Sequence, residues 1–247
     1  MKRTCYTLPN VPVRLLLLSD LHNELFDAAA LREEKADLIC VCGDVFYSFH
    51  PLSVQRNVLP FLRSCAEHAP TLFSLGNHEQ AITGEEIKRI EGTGAVVLDN
   101  RWVEMEIGNR RVVVGGLSSG YATAYRKWRA ENPDREKPER GEITDRHPET
   151  GWLDSFAAAP GYHILLSHHP EYYPLVMEHA DLVLCGHAHG GQWRIGRKGV
   201  YAPGQGIWPK WTKGIYDGRM VVSAGLSNPE RVPRLFNPTE IVIVEPA

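Results

Sequence analysis

The sequence predicts an α/β fold, and three observations lead to it. Short apolar runs alternate with helical stretches in the first third of the chain, a hairpin signal follows in the middle, and strand-like runs return in the last third. Alternation of this kind is typical of βαβ units with a largely parallel sheet. The 247 residues, 43% hydrophobic and 23% charged, have the composition of an ordinary globular protein. We expect a single domain over residues 1–247.

The elements follow in order from the apolar runs and the turn residues between them. Strands are predicted at 14–18, 37–42, 71–75, 95–98, 102–107, 111–114, 162–166, 181–185, 191–195, 220–222 and 240–244, and helices at 28–35, 54–67 and 85–91. The second helix is expected to be interrupted at Pro60, because proline lacks the backbone N–H. Gly108 and Asn109 indicate a hairpin, so antiparallel pairing enters in the middle of the chain.

The stretch 125–150 is crowded with charges of both signs and contains three prolines. Such a composition is expected to contribute little to a core. Two interpretations stay open, a solvated excursion from the domain and a lid over an active site.

Charge and composition exclude several functional classes. Lys and Arg number 27 against 30 Asp and Glu, for a net charge of -3, so no extended basic surface for a nucleic-acid backbone is expected. No apolar run approaches the roughly 20 residues of a membrane span. Five cysteines without a secretory signal indicate reduced thiols, and Cys40 and Cys42 lie in an apolar run as small hydrophobic residues. We therefore expect a cytoplasmic protein without a transmembrane segment; its oligomeric state stays open.

Five of the predicted strands are followed immediately by residues of types that bind metals. These residues are Asp20, His22, Asp44, Asn77, His78, His168, His169, His187 and His189. In an open α/β sheet ligands bind outside the carboxyl ends of the strands, so these side chains should converge on one crevice. Residues two apart in an extended segment face the same side, which would turn Asp20 with His22, and His187 with His189, into that crevice.

Seven of these residues are candidate metal ligands, namely Asp20, His22, Asp44, Asn77, His168, His187 and His189. Imidazole, carboxylate and amide groups without a thiolate suit Mn, Fe or Zn. Seven ligands exceed the need of one tetrahedral ion and match two divalent ions bridged by a carboxylate.

The order of the motifs Asp-x-His, Gly-Asp, Gly-Asn-His-Glu, a strand-borne His and Gly-His-x-His resembles the calcineurin-like metallophosphoesterase superfamily. Segments 167–170, 186–192 and 232–238 resemble the YkuE/YaeI-type branch of bacterial phosphodiesterases. The resemblance implies a four-layer αββα sandwich of two mixed β-sheets flanked by helices. It also implies a first metal on Asp20, His22 and His189, a second on Asn77, His168 and His187, and Asp44 as the bridge. His78 would protonate the leaving group, and His169 would be a bystander that faces away.

The implied activity is hydrolysis of a phosphodiester or pyrophosphate bond in a small or lipid-linked substrate by a metal-bound hydroxide. A phosphomonoesterase and a non-catalytic metal-binding scaffold are the alternatives. The Ser/Thr protein phosphatases continue Gly-Asp with Val-Asp-Arg-Gly, whereas residues 45–48 here are Val-Phe-Tyr-Ser; the phosphate-binding arginine is missing, which disfavours that branch. Trp208, Lys210 and Trp211 either contact an apolar or aromatic leaving group or cover the edge of a sheet.

Overall fold

A computed structural model describes residues 1–47, 50–135, 137–139, 141–229 and 232–247. Sixteen strands occur in this part of the chain: β1 (Lys2–Leu8), β2 (Leu15–Leu18), β3 (Leu38–Cys42), β4 (Thr71–Ser74), β5 (Val96–Leu98), β6 (Arg101–Ile107), β7 (Arg110–Leu117), β8 (Tyr162–Ser167), β9 (Leu182–Cys185), β10 (Arg194–Ile195), β11 (Lys198–Gly199), β12 (Tyr201–Ala202), β13 (Gly206–Ile207), β14 (Gly214–Tyr216), β15 (Met220–Val222) and β16 (Glu240–Pro246). The α-helices are α1 (Ala29–Arg32), α2 (Val58–His68), α3 (Gly84–Glu91), α4 (Gly120–Glu131), α5 (Leu153–Ala158) and α6 (Tyr173–Val176).

Twelve of these strands form two six-stranded sheets. The first sheet has the order β1-β16-β2-β3-β4-β5 and the second the order β14-β15-β9-β8-β7-β6. In the first sheet β2 to β5 are parallel and β16 runs antiparallel to β2. In the second sheet β7, β8, β9 and β15 are parallel, while β6 and β14 are antiparallel to their neighbours. Both sheets are therefore mixed.

The two sheets pack face to face, with helices on their outer faces. Along β2, Leu15 and Leu17 join a buried cluster that includes residues of the second sheet, while Leu16 and Leu18 pack with helix α2. Strand side chains alternate between faces, so β2 contributes to two apolar layers and all four leucines are buried. The outer face of the second sheet packs against α5 and α6 through Phe156 and Val176. The predicted four-layer αββα sandwich is confirmed.

The largest differences from the predicted elements have local causes. Only Arg194 and Ile195 of the predicted strand 191–195 are extended, because Gly190 and Gly191 have positive φ and form a turn. Helix α2 begins at Val58, so Pro60 lies in its first turn, where backbone N–H groups have no intrahelical partner, and the helix is not interrupted. Strand β1 and helix α4 were not predicted.

The charged stretch 125–150 buries more than its composition suggests. Helix α4 runs into it, and Tyr125 and Trp128 pack with Ile143 in a small buried cluster. Arg135 and Glu142 form an ion pair beside this cluster. The lid function of the stretch stays a prediction. Across the described ranges, no helix is long and apolar enough to cross a bilayer.

Candidate metal centre

The carboxyl ends of five neighbouring strands meet at one edge of the sandwich. Asp20 and His22 follow β2, Asp44 follows β3, Asn77 and His78 follow β4, His168 and His169 follow β8, and His187 and His189 follow β9. Backbone hydrogen bonds join these ends, such as the 3.1 Å bond from Asp20 N to Gly43 O and the 3.0 Å bond from Gly186 N to His168 O. The convergence expected from the sequence is thus present.

Asp20, His22 and His189 form one group of candidate ligands. One ligand atom from each lies within 4.8 Å of the others. The distance from Asp20 Oδ1 is 3.9 Å to His22 Nε2 and 3.7 Å to His189 Nε2. All three side chains are buried. The members of this group match the first predicted metal site.

Asp44, His168 and His187 form a second group, again with ligand atoms within 4.8 Å of one another. His168 Nε2 lies 3.0 Å from Asp44 Oδ2, and His168 Nδ1 lies 2.7 Å from the carbonyl oxygen of Cys42. A carbonyl can only accept, so Nδ1 carries a proton, and Nε2 is the nitrogen that faces the centre. Asp44 also belongs to a third group with His22 and His78, so its carboxylate lies between the two predicted metal sites.

Unpartnered buried atoms test whether this set fits cations. Within the described part of the chain, neither ring nitrogen of His22 nor Oδ1 of Asn77 has a hydrogen-bond partner. An unsatisfied buried polar atom costs about 1–3 kcal/mol. A divalent cation would satisfy imidazole nitrogen and amide oxygen at once, and both are donors that Mn, Fe and Zn accept. The residues present therefore fit metal ions.

The backbone brings the ligands together in a way that differs from the prediction. The φ values are 56° at Asp20, 50° at His22, 53° at Asp44, 65° at His187 and 46° at His189. These residues are in the left-handed region and not in extended segments. The prediction that residues two apart face the same side because the segment is extended was therefore wrong, although the side chains do converge. Left-handed backbone is uncommon for residues other than glycine, and such strain concentrates at functional sites.

Burial and two carboxylates set the charge states at the centre. Desolvation lowers the pKa of His22 and of His187 well below the usual value, which keeps these imidazoles neutral as metal ligation requires. Burial would also lower the pKa of His168, but the adjacent Asp44 and Asp20 carboxylates raise it to about 10. Without cations, His168 and Asp44 thus form an ion pair. His168 would give up its proton at Nε2 when it binds a metal.

His78 has the position expected of a group that faces a substrate. Its side chain is 23% exposed, and Nε2 lies 3.8 Å from Asp44 Oδ2. Its ring packs edge-on against His22 at 4.5 Å, and its backbone N–H donates to Asp44 Oδ1 at 2.8 Å. The imidazole is therefore held at the mouth of the centre, next to both metal groups.

Glu79 positions two of the ligand loops, a role the sequence reasoning missed. Its carboxylate accepts hydrogen bonds from the backbone N–H groups of Asp44 (2.9 Å), Phe46 (2.9 Å) and Gly76 (2.6 Å). Burial and the charge of Asp44 raise the pKa of Glu79 to about 7. The signal was in the sequence, because Glu79 is the last residue of the Gly-Asn-His-Glu motif.

Arg234 is a second residue that the sequence reasoning did not single out. Its guanidinium lies 3.0 Å from Nδ1 of His189 and also donates to the carbonyl oxygens of Ala224 and Ser227. The side chain is largely buried, and desolvation lowers its pKa. Arg234 therefore places a positive charge directly behind the first ligand group.

His169 does not face away from the centre as predicted. Its ring centroid lies 4.1 Å from that of His187, and its nitrogens lie 2.8 Å from Ser119 Oγ and 3.2 Å from Glu171 Oε1. Burial lowers the pKa of His169 to about 3. The chain turns after β8 into a short helical segment, so neighbouring residues need not face opposite sides. Its role as a bystander stays a prediction.

The three predicted substrate contacts occupy different environments. Trp208 is 60% exposed, whereas Trp211 is partly buried against the cluster on the outer face of the second sheet. Lys210 Nζ lies 4.4 Å from the centroid of the Trp211 ring. Trp211 thus packs on the outer face of the second sheet and Trp208 is exposed, and the choice between substrate contact and cover for a sheet edge stays a prediction.

An αββα sandwich with Asp, Asn and His side chains at its converging strand ends defines a class, the metal-dependent phosphoesterases. The calcineurin-like phosphoesterase profile matches residues 13–191, and the chain belongs to that family. The resemblance seen in the sequence motifs is confirmed.

Individual relatives within the curated proteins share only low sequence identity with the chain. The chain is 27% identical over 198 residues to phosphodiesterase YaeI of Escherichia coli (strain K12), covering 74% of this chain and 63% of that protein. It is 24% identical over 194 residues to the uncharacterized metallophosphoesterase YkoQ of Bacillus subtilis (strain 168), covering 73% and 62%. The chain thus spans less than two thirds of the length of either curated relative.

Solved structures support the fold. Sulfate thiohydrolase SoxB of Thermus thermophilus matches with a TM-score of 0.55 at 14% identity, over 89% of this chain and 53% of that one. A 5'-nucleotidase precursor, also from Thermus thermophilus, matches with a TM-score of 0.52 at 16% identity, over 95% and 48%. At these identities the likeness concerns the fold alone.

Proposed function

We propose that the chain is a dinuclear-metal-dependent phosphodiesterase that hydrolyses a phosphodiester or pyrophosphate bond of a small or lipid-linked substrate. The observation that carries the proposal is the pair of His/Asp groups with Asp44 between them. Membership of the calcineurin-like phosphoesterases and similarity to a bacterial phosphodiesterase support the reaction class.

The proposed ligands divide between two cations, for both of which Asp44 would be a ligand. Asp20, His22 and His189 would hold the first, and Asn77, His168 and His187 would hold the second. When bound, two divalent ions of Mn, Fe or Zn offset the charge of the phosphoryl oxygens and lower the pKa of a water molecule toward about 7. The protein contributes the geometry, because Glu79 fixes the loops of Asp44 and Gly76, and the carbonyl of Cys42 orients His168.

His78 is the proposed general acid. Its side chain is 23% exposed, Nε2 lies 3.8 Å from Asp44 Oδ2, and the ring packs edge-on against His22. In its protonated form the imidazole gives a proton to the leaving oxygen as the ester bond breaks. General acid catalysis of this kind contributes about 10²–10⁴-fold.

The test compares His78→Ala with the wild type on two diesters, one with a 4-nitrophenol and one with an alkyl alcohol leaving group. We expect the variant to keep its metal stoichiometry and to lose about 10²–10⁴-fold in kcat on the alkyl diester. The loss should be smaller on the nitrophenyl diester, since nitrophenolate leaves without a proton. His147→Ala removes an exposed histidine and is the control. Equal losses on both diesters would contradict the role of His78.

The same assay separates the other functions. A 4-nitrophenyl monoester cleaved faster than the diester would indicate a phosphomonoesterase. Fewer than about one bound ion per chain, with no hydrolysis in added manganese, would indicate a non-catalytic scaffold. The single domain, the cytoplasmic location and the lack of extended nucleic-acid binding stay predictions.

A further inference from the structure

An apolar cavity of about 440 Å³ opens directly beside the first ligand group. Its walls include His189, Trp193, Val200, Tyr201, Pro203 and Val232. Its size lies in the usual range for small-molecule sites. One wall residue, His189, is a proposed metal ligand, so the cavity adjoins the candidate metal centre.

Two polar side-chain groups in these walls already have hydrogen-bond partners. Trp193 Nε1 donates to the carbonyl oxygen of Pro233 at 2.9 Å. The side-chain nitrogen of Gln192 donates to Asn228 Oδ1 at 3.1 Å and to the carbonyl oxygen of Val232 at 2.5 Å. A nucleobase would bring ring-edge donors and acceptors that these groups are not available to satisfy, and buried unsatisfied polar groups are costly. The walls favour a hydrocarbon occupant.

Apolar side chains continue outside the cavity on the same surface. Tyr201 pairs with Ile207, which is 74% exposed, and Trp193 forms a bridge with the exposed Leu235. Paired residues on adjacent strands lie on one face, so Ile207 and Leu235 extend the apolar lining toward solvent. Contiguous exposed apolar surface of this kind marks a binding site.

Charge behind His189 completes the description of the occupant. The Arg234 guanidinium lies 3.0 Å from Nδ1 of His189, so a positive charge lies behind this wall residue even without metal. A molecule that suits the whole cavity is an anion at one end and a hydrocarbon along its length. Resting on the proposed function, we infer that the cavity holds the alkyl or acyl chain of an amphiphilic phosphoester whose phosphate is bound at the metal centre.

The first experiment measures kcat/KM for methyl, butyl and octyl 4-nitrophenyl phosphate below their aggregation concentrations. All three lose the same nitrophenolate, so only the chain length varies. Each fully buried methylene raises kcat/KM about fourfold. We expect kcat/KM to rise at least about tenfold from the methyl to the octyl ester. Val232→Asp places a carboxylate in the wall and should abolish this gain, so that the octyl-to-methyl ratio of kcat/KM within the variant falls to about one.

Val54→Asp is the matched control, with the same substitution at a residue that does not line the cavity. Val54 is 55% exposed and Val232 43%, so both variants should fold. The control should keep the full chain-length dependence. A wild type with equal kcat/KM on the methyl and octyl esters would overturn the chain site and leave the phosphodiesterase standing.

The second experiment tests the cavity by ligand binding alone, without hydrolysis. Calorimetry compares methylphosphonate with octylphosphonate on the manganese-loaded protein. We expect at least about tenfold tighter binding of the octyl compound, lost in Val232→Asp and kept in Val54→Asp. If no diester is cleaved, the proposed function fails while this binding difference still supports or refutes the cavity. Equal affinities would refute it.

Discussion

Gly76→Ala should disrupt the metal centre through Asp44, although residue 76 is not itself a proposed ligand. A Cβ atom at this position would lie 2.2 Å from Asp44 Oδ1 and 2.6 Å from Asp44 N. Both distances are about 1 Å shorter than van der Waals contact permits, and overpacking of this kind typically costs about 1–3 kcal/mol. Asp44 would have to move by a comparable distance, which would break its 2.8 Å bond from the His78 N–H.

The assay has two readouts. Urea unfolding in EDTA should show a loss of about 1–3 kcal/mol in the free energy of unfolding. Manganese calorimetry should show both ions bound at least about tenfold more weakly, because Asp44 is the ligand they share. Gly84→Ala is the control, since no atom lies within 4 Å of a Cβ there. A Gly76→Ala protein that binds two ions with wild-type affinity would refute the bridging position of Asp44.

Two further predictions concern the pH dependence of the metal-free protein. The pKa of His169 is lowered to about 3 by burial, so the unfolded chain takes up a proton below about pH 6.5 that the folded chain does not, and stability falls as the pH drops. Between pH 7.5 and 5.0 the free energy of unfolding, measured with urea in EDTA, should fall by about 2 kcal/mol less in His169→Gln than in the wild type. An identical fall would contradict the lowered pKa of His169. His179→Gln is the control. Glu79 acts in the opposite direction, because its pKa of about 7 exceeds the ordinary 4.5 and its contribution to stability is lost as the pH rises between these values. Relative to wild type, the free energy of unfolding of Glu79→Gln should therefore rise by about 3 kcal/mol from pH 4.5 to 7.5, and a constant difference would show that the fold does not raise the pKa of Glu79.

Most of the sandwich could be predicted because buried parallel strands are short apolar runs. The runs that became β2, β3 and β9 are unbroken and end at polar residues, so both their position and their edge of the sheet were evident. Strand β1 alternates exposed and partly buried residues at the sheet edge, and its pairing with β16 depends on the far end of the chain. No local pattern contains that information.

The membership of the centre could be predicted, but its internal geometry could not. Residue types at five strand ends were sufficient to name Asp20, Asp44 and the histidines. The left-handed backbone at these positions depends on tertiary contacts, and glycine alone would have signalled it. Arg234 lies far from the ligands in sequence and reaches His189 only through the fold.

The position of β16 determines the order in which the first sheet can be completed during folding. This strand lies between β1 and β2, and Val242 pairs with Leu17 across almost the whole chain. Closing so long a loop is entropically costly, so we expect the parallel unit β2 to β5 to form before β16 joins it. Until then the four leucines of β2 would form an open sheet edge, and an unpaired apolar edge favours aggregation. The last strand would therefore protect β2, the strand that leads into Asp20 and His22 of the candidate metal centre.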